Sequence, residues 1–515
     1  MKVVSIGTDR KLFEQNSAVR QRQVEYGKIF DELHIIVFTP DEAEFQNQKL
    51  SDNVFLYPSK SKIRILFIFD FLRIIRKILK NLDRNNIILT CQDPFETGLI
   101  GVFIKLFFDL PLHIQVHTDF MHKYFSQLSL LNKVRFFMVE FVLKYSDRVR
   151  VVSERVKKSI EQFSTNIDVL PISQGETLKN LVSNIPPSEI KKPFNFTLLM
   201  VCRLEKEKNI ETVLQAIKDL DKDTGLCLVG DGSQRKSLEN LYRILNLESR
   251  IQFVGWQNNL ASYYKMADVF VSASLYEGYG ISTVEAAYFG KPLILSETGV
   301  AGEIFKEGES AFVCDAKDEN CFAQSILSLY KDKNLAERMG QSAKASADRH
   351  LNSQNNYLKE YADSILKTPN GFIKRNLLSR IFYFKKTVFN SFMILRYFIC
   401  GITAAGANIL SLYIFTDTFG IWYLYSSVLA FFLALIISFV LQKFVVFRDT
   451  ETHKVHRQFS KFFVVAVLGV ITNTVLVFVC TDIIGIWYII SQIIAGFFVM
   501  IQNFILYKFF IFNKQ

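Results

Sequence analysis

Short apolar runs at positions 3–6, 33–38, 87–90, 113–116 and 148–152 alternate with longer stretches in which apolar and polar residues mix. Such alternation predicts strands followed by crossover helices, and hence a parallel sheet covered by helices on both faces. A second series of runs lies at 196–202, 226–229, 251–254, 269–272 and 292–296. The pattern therefore predicts an α/β protein of two doubly wound, Rossmann-like lobes, spanning 1–172 and 196–367. The segment 173–195 between them, with Pro186, Pro187 and Pro193 among polar residues, reads as a linker. A ligand cleft is expected between the lobes, where the carboxyl ends of the two sets of strands face each other.

The pattern changes beyond residue 395. Four stretches, near 397–416, 422–442, 462–481 and 487–507, are almost wholly apolar and close to the ~20 residues a helix needs to cross a bilayer. Neither Lys nor Arg occurs between positions 397 and 442 or between 462 and 507. An all-α, four-span transmembrane bundle over 395–513 is expected, joined to the α/β part by a basic amphipathic linker, 368–394.

The second pair of spans repeats the first at an offset of 65 residues. Asp417, Gly420, Ile421, Trp422 and Tyr423 recur as Asp482, Gly485, Ile486, Trp487 and Tyr488; Asn408 recurs as Asn473, and Lys443 as Lys508. Each unit has an even number of spans, so both enter the membrane in the same sense, as a parallel repeat. The tryptophans and tyrosines of the two turns are placed to anchor the far interface. An unpaired amide is costly in hydrocarbon, so Asn408 and Asn473 either hold helices together or contact a lipid-linked sugar.

Charge adds an orientation. The chain carries a formal +11, which alone would allow a nucleic-acid partner. Its position excludes that: Lys374, Arg375, Arg380, Lys385, Lys386 and Arg396 precede the first span, and Lys443, Arg448, Lys454, Arg457 and Lys461 fill the central loop. Basic residues flanking spans fit anionic lipid and a cytosolic side for both chain ends. The first residues read as a β-strand and lack the apolar core of a signal peptide, so the catalytic part is expected in the cytosol. The seven cysteines form no C-x-x-C pair and no zinc spacing, and are read as reduced, buried thiols.

The densest chemistry lies in the second lobe. Arg203 and Lys208 stand where a strand ends and a helix opens, so two cations and free backbone N–H groups would favour an anion such as a diphosphate. Further on, Glu277, Gly278, Tyr279, Gly280 and Ile281 precede Glu285. Here Glu277 is expected on a loop, the glycines let the backbone approach a ligand, and Glu285 points inward from the first turns of the next helix. One carboxylate could meet a sugar and the other a ribose. Asp221 and Asp223 match a short metal-binding pattern, but they fall in a turn rich in Lys and Gly and read as solvated.

Arg203 and Lys208 five apart, Gly230-Asp231-Gly232 after a strand, and the two glutamates eight apart together resemble the retaining, GT-B-fold glycosyltransferases of family four. The segments 146–154 and 169–171 resemble that family's last strands before the interlobe crossing. The resemblance covers about residues 1 to 367 and implies that the first lobe is the acceptor side and that the second, which binds the nucleotide sugar, ends in a helix that crosses back. It implies a nucleotide-diphosphate sugar as donor substrate and no cofactor or metal, with Arg203 and Lys208 on the diphosphate, Glu285 on the ribose, and Glu277 with the backbone of 278–281 against the donor sugar. His117, at the end of a strand, occupies the place of the family's active-site histidine. The loop after the first strand departs from the family: Gly7 is followed by no second glycine, and Arg10 or Arg20 would supply charge there. The last segment resembles the GtrA-like membrane domain family, which implies cell-surface polysaccharide synthesis and polyprenyl-phosphate-linked sugars. Together these imply a retaining transfer to a lipid-linked or glycan acceptor, with anionic membrane lipids as further partners.

Overall fold

The structure is a computed structural model of the 515-residue chain. It describes every residue except 16, 41–44, 62–66, 81, 83–85, 184–189, 355, 369–392, 450, 452, 484–487 and 513–515. The chain divides into two units, Met1–Lys374 and Arg375–Gln515. Most of the basic linker before the first span, with Lys374, Arg375, Arg380, Lys385 and Lys386, and the interface residue Trp487, lie outside the described residues.

The first lobe of the larger unit runs β1 (Lys2–Gly7), α1 (Ala18–Gly27), β2 (Glu32–Val37), β3 (Gln48–Ser51), β4 (Val54–Pro58), α2 (Phe67–Lys80), β5 (Ile87–Cys91), α3 (Glu96–Phe108), β6 (Leu112–Val116), α4 (Leu130–Tyr145), β7 (Arg148–Val151), α5 (Glu154–Ile160) and β8 (Ile167–Val169), then α6 (Gly175–Ser183). Its eight strands lie in the order β3-β4-β2-β1-β5-β6-β7-β8. All pair in parallel except β3, which runs against β4. The central strands are buried on both faces, which is why they read as unbroken apolar runs.

The second lobe has β9 (Phe196–Val201), α7 (Ile210–Lys218), β10 (Thr224–Val229), α8 (Arg235–Ile244), β11 (Ile251–Gly255), α9 (Ala261–Met266), β12 (Val269–Ser272), α10 (Ile281–Tyr288), β13 (Leu293–Ser296), β14 (Ala311–Cys314), α11 (Glu319–Lys331) and α12 (Lys333–Asn352). The sheet order is β11-β10-β9-β12-β13-β14. One more helix, α13 (Tyr357–Leu366), follows in sequence but packs into the first lobe's core, beside Val3, Leu12 and Tyr26. Its Tyr361 stacks on Tyr26 with ring centroids 4.3 Å apart.

One reading of the sequence is corrected here. Cys314, at the end of β14, and Cys321, in the first turn of α11, form a disulfide rather than two thiols. Strand and helix are joined by a turn short enough to bring the two α-carbons within 5.8 Å, inside bonding range. Cys91, Cys227, Cys400 and Cys480 are buried free thiols, and Cys202 is half-buried.

The smaller unit is helical: Met393–Tyr413, Tyr423–Val440, Val455–Phe478 and Tyr488–Leu506. Among the described residues, three helical stretches are long and apolar enough to cross a membrane, Arg396–Thr418, Leu424–Val446 and Val455–Thr481, and Ala495–Leu506 is a shorter apolar one. The sequence repeat has a structural counterpart, since π-helical turns close the first and third helices at Ile414–Thr418 and Val479–Ile483. Many apolar side chains of these helices face outward, Ile402 and Ile409 among them, as lipid contact requires.

The central loop is also corrected. Lys443 does not lie in a solvated loop; it is fully buried, 3.0 Å from Asp449 and donating to Gln458 at 2.6 Å. The carboxylate and the amide oxygen take the place of water around its ammonium, which is the condition for burying a charge. Arg457 and Lys461 belong to the start of the third helix. Asn408 and Asn473 are half-buried on their helices.

Candidate functional site

Between the two lobes lies a cleft of about 740 Å³. Its second-lobe wall is built from three strand-to-helix connections, which carry Arg203 to Lys208, Gly230, and Tyr276 to Glu285. The first lobe contributes His117, Thr118, Phe125, Asn132 and Arg135. Arg203, Lys208, Glu277, Gly278, Tyr279, Gly280, Ile281, Glu285 and His117 thus all line one space.

Lys208 and Glu277 form an ion pair, their side chains only 17% and 15% exposed. Ser274 Oγ donates to the same Glu277 oxygen at 3.2 Å. Burial alone would pull the Lys208 ammonium down, but the charge and hydrogen bond of Glu277 outweigh it and hold its pKa above the ordinary lysine value. Arg203 is exposed at the cleft mouth and donates to Glu207 at 3.1 Å.

These two cations lie between the end of β9 and the start of α7. A 3₁₀ turn, Lys206–Lys208, and the left-handed Asn209 (φ 50°) separate them from α7. The N–H groups of Lys208, Asn209 and Thr212 are spent on local carbonyls, while α7 itself opens at Ile210, two residues beyond Lys208, with no side-chain cap. Asn209 fixes the turn by donating to the carbonyls of Ala273 and Ala316. The start of α10 also faces the cleft; its N-terminal flank is Gly280, at φ 93°, with no side-chain cap.

Glu285 sits one turn into α10 and is 6% exposed. Tyr264 donates to its Oε2 at 2.6 Å. Burial pushes the Glu285 pKa up to about 7, against the smaller opposing pull of that hydrogen bond. Opposite, His117 ends up at about 3, lowered by burial first and then by the charges of Arg150 and Arg22, so its imidazole is neutral. Gly278 meets the first lobe directly: a Cβ there would stand 2.1 Å from the His117 carbonyl oxygen. Ser153 Oγ donates to the Gly278 carbonyl at 2.9 Å and Gln174 to that of Ile281 at 3.3 Å, fastening the loop across the lobes.

A second, smaller cavity of about 280 Å³ lies in the first lobe and shares His117, Ile172 and Ile281 with the cleft. Gly7 lines it, but Arg10 and Arg20 do not. Arg10 turns to the Phe38 carbonyl and ring, and Arg20 to the Leu12 carbonyl and Gln48. The cations lining this cavity are Arg22 and the buried Arg150. Arg150 is held by Gln115, the carbonyls of Leu170 and Pro171, and the Tyr357 hydroxyl of α13.

Sequence reasoning passed over Arg22, Arg150, Tyr264 and His350, whose Nε2 lies 2.6 Å from the Tyr279 hydroxyl. Arg150 stood inside a segment already singled out; nothing local marked the others. Asp221 and Asp223 do lie in the turn before β10, tied by the Asp223 N–H and by Asn195. Asn408 makes no side-chain hydrogen bond with any described residue, whereas Asn473 does interact with its surroundings.

Residues 183–346 match the family model described as glycosyl transferases group 1, and residues 396–512 match GtrA/DPMS, transmembrane domain. Among curated proteins, the chain is 26% identical over 252 residues to N-acetyl-alpha-D-glucosaminyl L-malate synthase of Bacillus anthracis, covering 46% of this chain and 65% of that protein. It is 28% identical over 228 residues to alpha-monoglucosyldiacylglycerol synthase of Streptococcus pneumoniae, covering 40% and 51%. Against the lipopolysaccharide core biosynthesis glycosyltransferase LpsD of Rhizobium meliloti it is 33% identical over 144 residues, covering 28% and 42%. The chain thus spans less than two thirds of each of these three relatives. Among solved structures, sucrose-phosphate synthase from Thermosynechococcus elongatus superposes with a TM-score of 0.58 at 18% identity, covering 70% of this chain and 98% of that one. Anabaena Alr3699/HepE in complex with UDP-glucose gives 0.53 at 17%, covering 71% and 100%.

Proposed function

We propose that this chain, which carries a group 1 glycosyl transferase domain of GT-B fold followed by a GtrA/DPMS transmembrane domain, moves a sugar from a nucleotide-diphosphate sugar to a lipid-linked or glycan acceptor in cell-surface glycan synthesis. The observation that carries the reading is the Lys208–Glu277 pair standing beside Glu285 in a cleft closed by His117.

In this reading Arg203 and Lys208 take the diphosphate. Both can leave a carboxylate partner for a phosphate, and Lys208 is already held as a cation. The uncapped start of α10 and the backbone of Gly278, Tyr279, Gly280 and Ile281 face the same space and add dipoles for developing charge. Glu285, poised near neutrality, accepts from the ribose hydroxyls, and Glu277 lies against the donor sugar. The neutral His117 contacts the transferring sugar from the other lobe. With retention of anomeric configuration, the acceptor oxygen attacks on the face that the diphosphate leaves. The C1–diphosphate bond breaks as the new glycosidic bond forms, and a diphosphate oxygen takes the acceptor's proton. No metal is assigned a part; catalysis rests on positioning and charge stabilisation.

A nucleotide sugar as donor is supported by the Anabaena neighbour, described in complex with UDP-glucose, and a lipid acceptor by the pneumococcal relative, named for a glucosylated diacylglycerol. The membrane part is read as four spans in the cytoplasmic membrane, with both chain ends and the catalytic lobes on the cytosolic side, and anionic lipids at the basic flanks. A second reading, that this part moves polyprenyl-linked sugar, is favoured by polar atoms buried in it, Gln442 Oε1, Gln502 Nε2 and Asn503 Oδ1, which have no hydrogen-bond partner among the described residues.

The test is to incubate the purified full-length chain with a panel of nucleotide sugars and a lipid extract. Transfer that is lost on Glu285→Ala is expected; no transfer from any donor would overturn the assignment. Lipid movement by the reconstituted chain without a nucleotide sugar would favour the second reading.

A further inference from the structure

From Gly278 to Gly280, Tyr279 is the one residue with a side chain, and that side chain leaves the cleft which its backbone lines. It is 2% exposed and belongs to the core of the second lobe, with Val284, Ala287, Ala343 and Ala347. A phenol so placed must find a partner for its O–H or leave it unpaired at the expense of the fold. The partner is His350, in the last turn of α12, whose Nε2 lies 2.6 Å from the hydroxyl. Burial raises the Tyr279 pKa and lowers that of His350, so both groups are neutral: the phenol donates and the imidazole accepts. Gln354 Nε2 lies 3.0 Å from the same imidazole nitrogen.

What this bond holds is the backbone on either side. The N–H groups of Gly278, Tyr279, Gly280 and Ile281 donate to no described residue, and all four residues front the cleft. Their carbonyls are held unequally. Those of Gly278 and Ile281 are held by Ser153 and Gln174, both outside the second lobe, whereas the Val300 N–H holds the Tyr279 carbonyl from within it at 3.0 Å. Contacts made from the other lobe last only while the lobes stay closed. The carbonyl and the hydroxyl of Tyr279 tie the loop to the lobe that carries it, and a glycine on each side leaves the backbone otherwise free to turn.

We propose that His350 is a positioning residue: through the Tyr279 hydroxyl it sets the depth and tilt of the 278–281 backbone, and with them the aim of its free N–H groups at a donor sugar and the departing diphosphate. The inference rests on the transfer reaction proposed above and adds to it a residue that touches neither substrate. His350 lines neither the cleft nor the first-lobe cavity, so its effect passes through the phenol. Donors aimed at developing charge act over short distances, and a displacement of about 1 Å can cost about 100-fold in rate. The nucleotide diphosphate is less affected, because Arg203, Lys208 and Glu285 meet it from other parts of the cleft wall.

The test uses variants of the full-length chain. Tyr279→Phe keeps the ring and removes the hydroxyl. His350→Leu fills the place of the imidazole without an acceptor, and His350→Gln offers the phenol a carbonyl oxygen instead. With the nucleotide sugar that the wild type turns over, Tyr279→Phe and His350→Leu should each lose about 10- to 100-fold in kcat, with the donor KM changed by less than about threefold. The two combined should lose no more than either alone, since both break the same bond. His350→Gln should recover most of the rate, which a role in packing alone would not give. Independently of any substrate, hydrogen exchange at the Val300 amide, which the Tyr279 carbonyl protects, should quicken by a common factor in Tyr279→Phe and His350→Leu and return toward the wild-type rate in His350→Gln. Transfer by the wild type with full kcat in both single variants would overturn the proposal alone, as would losses that multiply when the two are combined. A wild-type chain that transfers nothing would sink the reading of function and this role with it, while unaltered Val300 exchange in the variants would remove the anchor itself.

Discussion

Tyr264 donates a 2.6 Å hydrogen bond to the carboxylate of Glu285, a group that burial already holds near pKa 7. Because the folded-state value lies above the ordinary glutamate value of 4.5, the folded chain binds more protons than the unfolded one between about pH 4.5 and 7. Stability from this group is therefore full below pH 4.5 and declines as pH rises toward 7, by roughly 3 kcal/mol. Urea unfolding of the wild type and Glu285→Gln across that range should show this slope in the first and its absence in the second. Tyr264→Phe removes a bond that favours the charged form, so it should move the acid limb of activity to higher pH.

The Lys208–Glu277 pair gives a double-substitution test. Lys208→Met leaves Glu277 without its cation and should cost about 1–3 kcal/mol. Adding Glu277→Leu should recover much of that stability, because an apolar pair of similar size tolerates burial better than a lone charge. Thermal stabilisation by UDP or GDP should be lost in both variants. Recovery of nucleotide binding in the double variant would show that the cation is not a ligand.

Gly278 is fitted to the His117 backbone. Gly278→Ala places a Cβ 2.1 Å from a carbonyl oxygen that cannot swing aside as a flexible side chain would. Relief must come from moving the lobes, at about 1–3 kcal/mol. The expected result is a fall in kcat at saturating donor, with the fold retained by circular dichroism.

Arg22, and neither Arg10 nor Arg20, lines the first-lobe cavity. With the first lobe read as the acceptor side, Arg22→Ala should raise the acceptor KM about 10- to 100-fold, the worth of a hydrogen bond to a charged group, with the donor KM unchanged. Arg10→Ala should leave both constants as they are. Initial-rate kinetics with each substrate varied separately would decide this.

These residues also show what the chain discloses before it folds. Strands such as β1 and β13 were legible because a parallel strand buried on both faces needs a continuous apolar run, and those runs coincide with the observed elements. The four-residue β3 and β14, with mixed or short patterns, gave no such signal. Lys208, Glu277 and Glu285 could be placed because each lies in a strand-to-helix connection or the first turns of the helix that follows, which is where a doubly wound lobe builds its cleft. Arg20 and Arg22 could not be separated that way: two residues on a helix point about 200° apart, and which one faces the cavity depends on how α1 is rotated against its sheet. The contacts of Tyr264, on α9, with Glu285, and of His350 with Tyr279, join segments that only the folded chain brings together. The Cys314–Cys321 bond escaped for the same reason, since its spacing means nothing until β14 and α11 are set beside each other.

Helix α13 has a consequence for how the protein is made. Tyr357, Tyr361, Ala362 and Ile365 are part of the core that encloses β1 and β2, and Tyr357 also holds Arg150. During synthesis the amino-terminal half emerges first and would ordinarily fold first. Here it must wait, with a hole beside Tyr26, until the whole of the second lobe and about fifteen residues more have left the ribosome. A truncation after α12 would preserve the matched family segment and yet produce a protein that cannot close its own beginning.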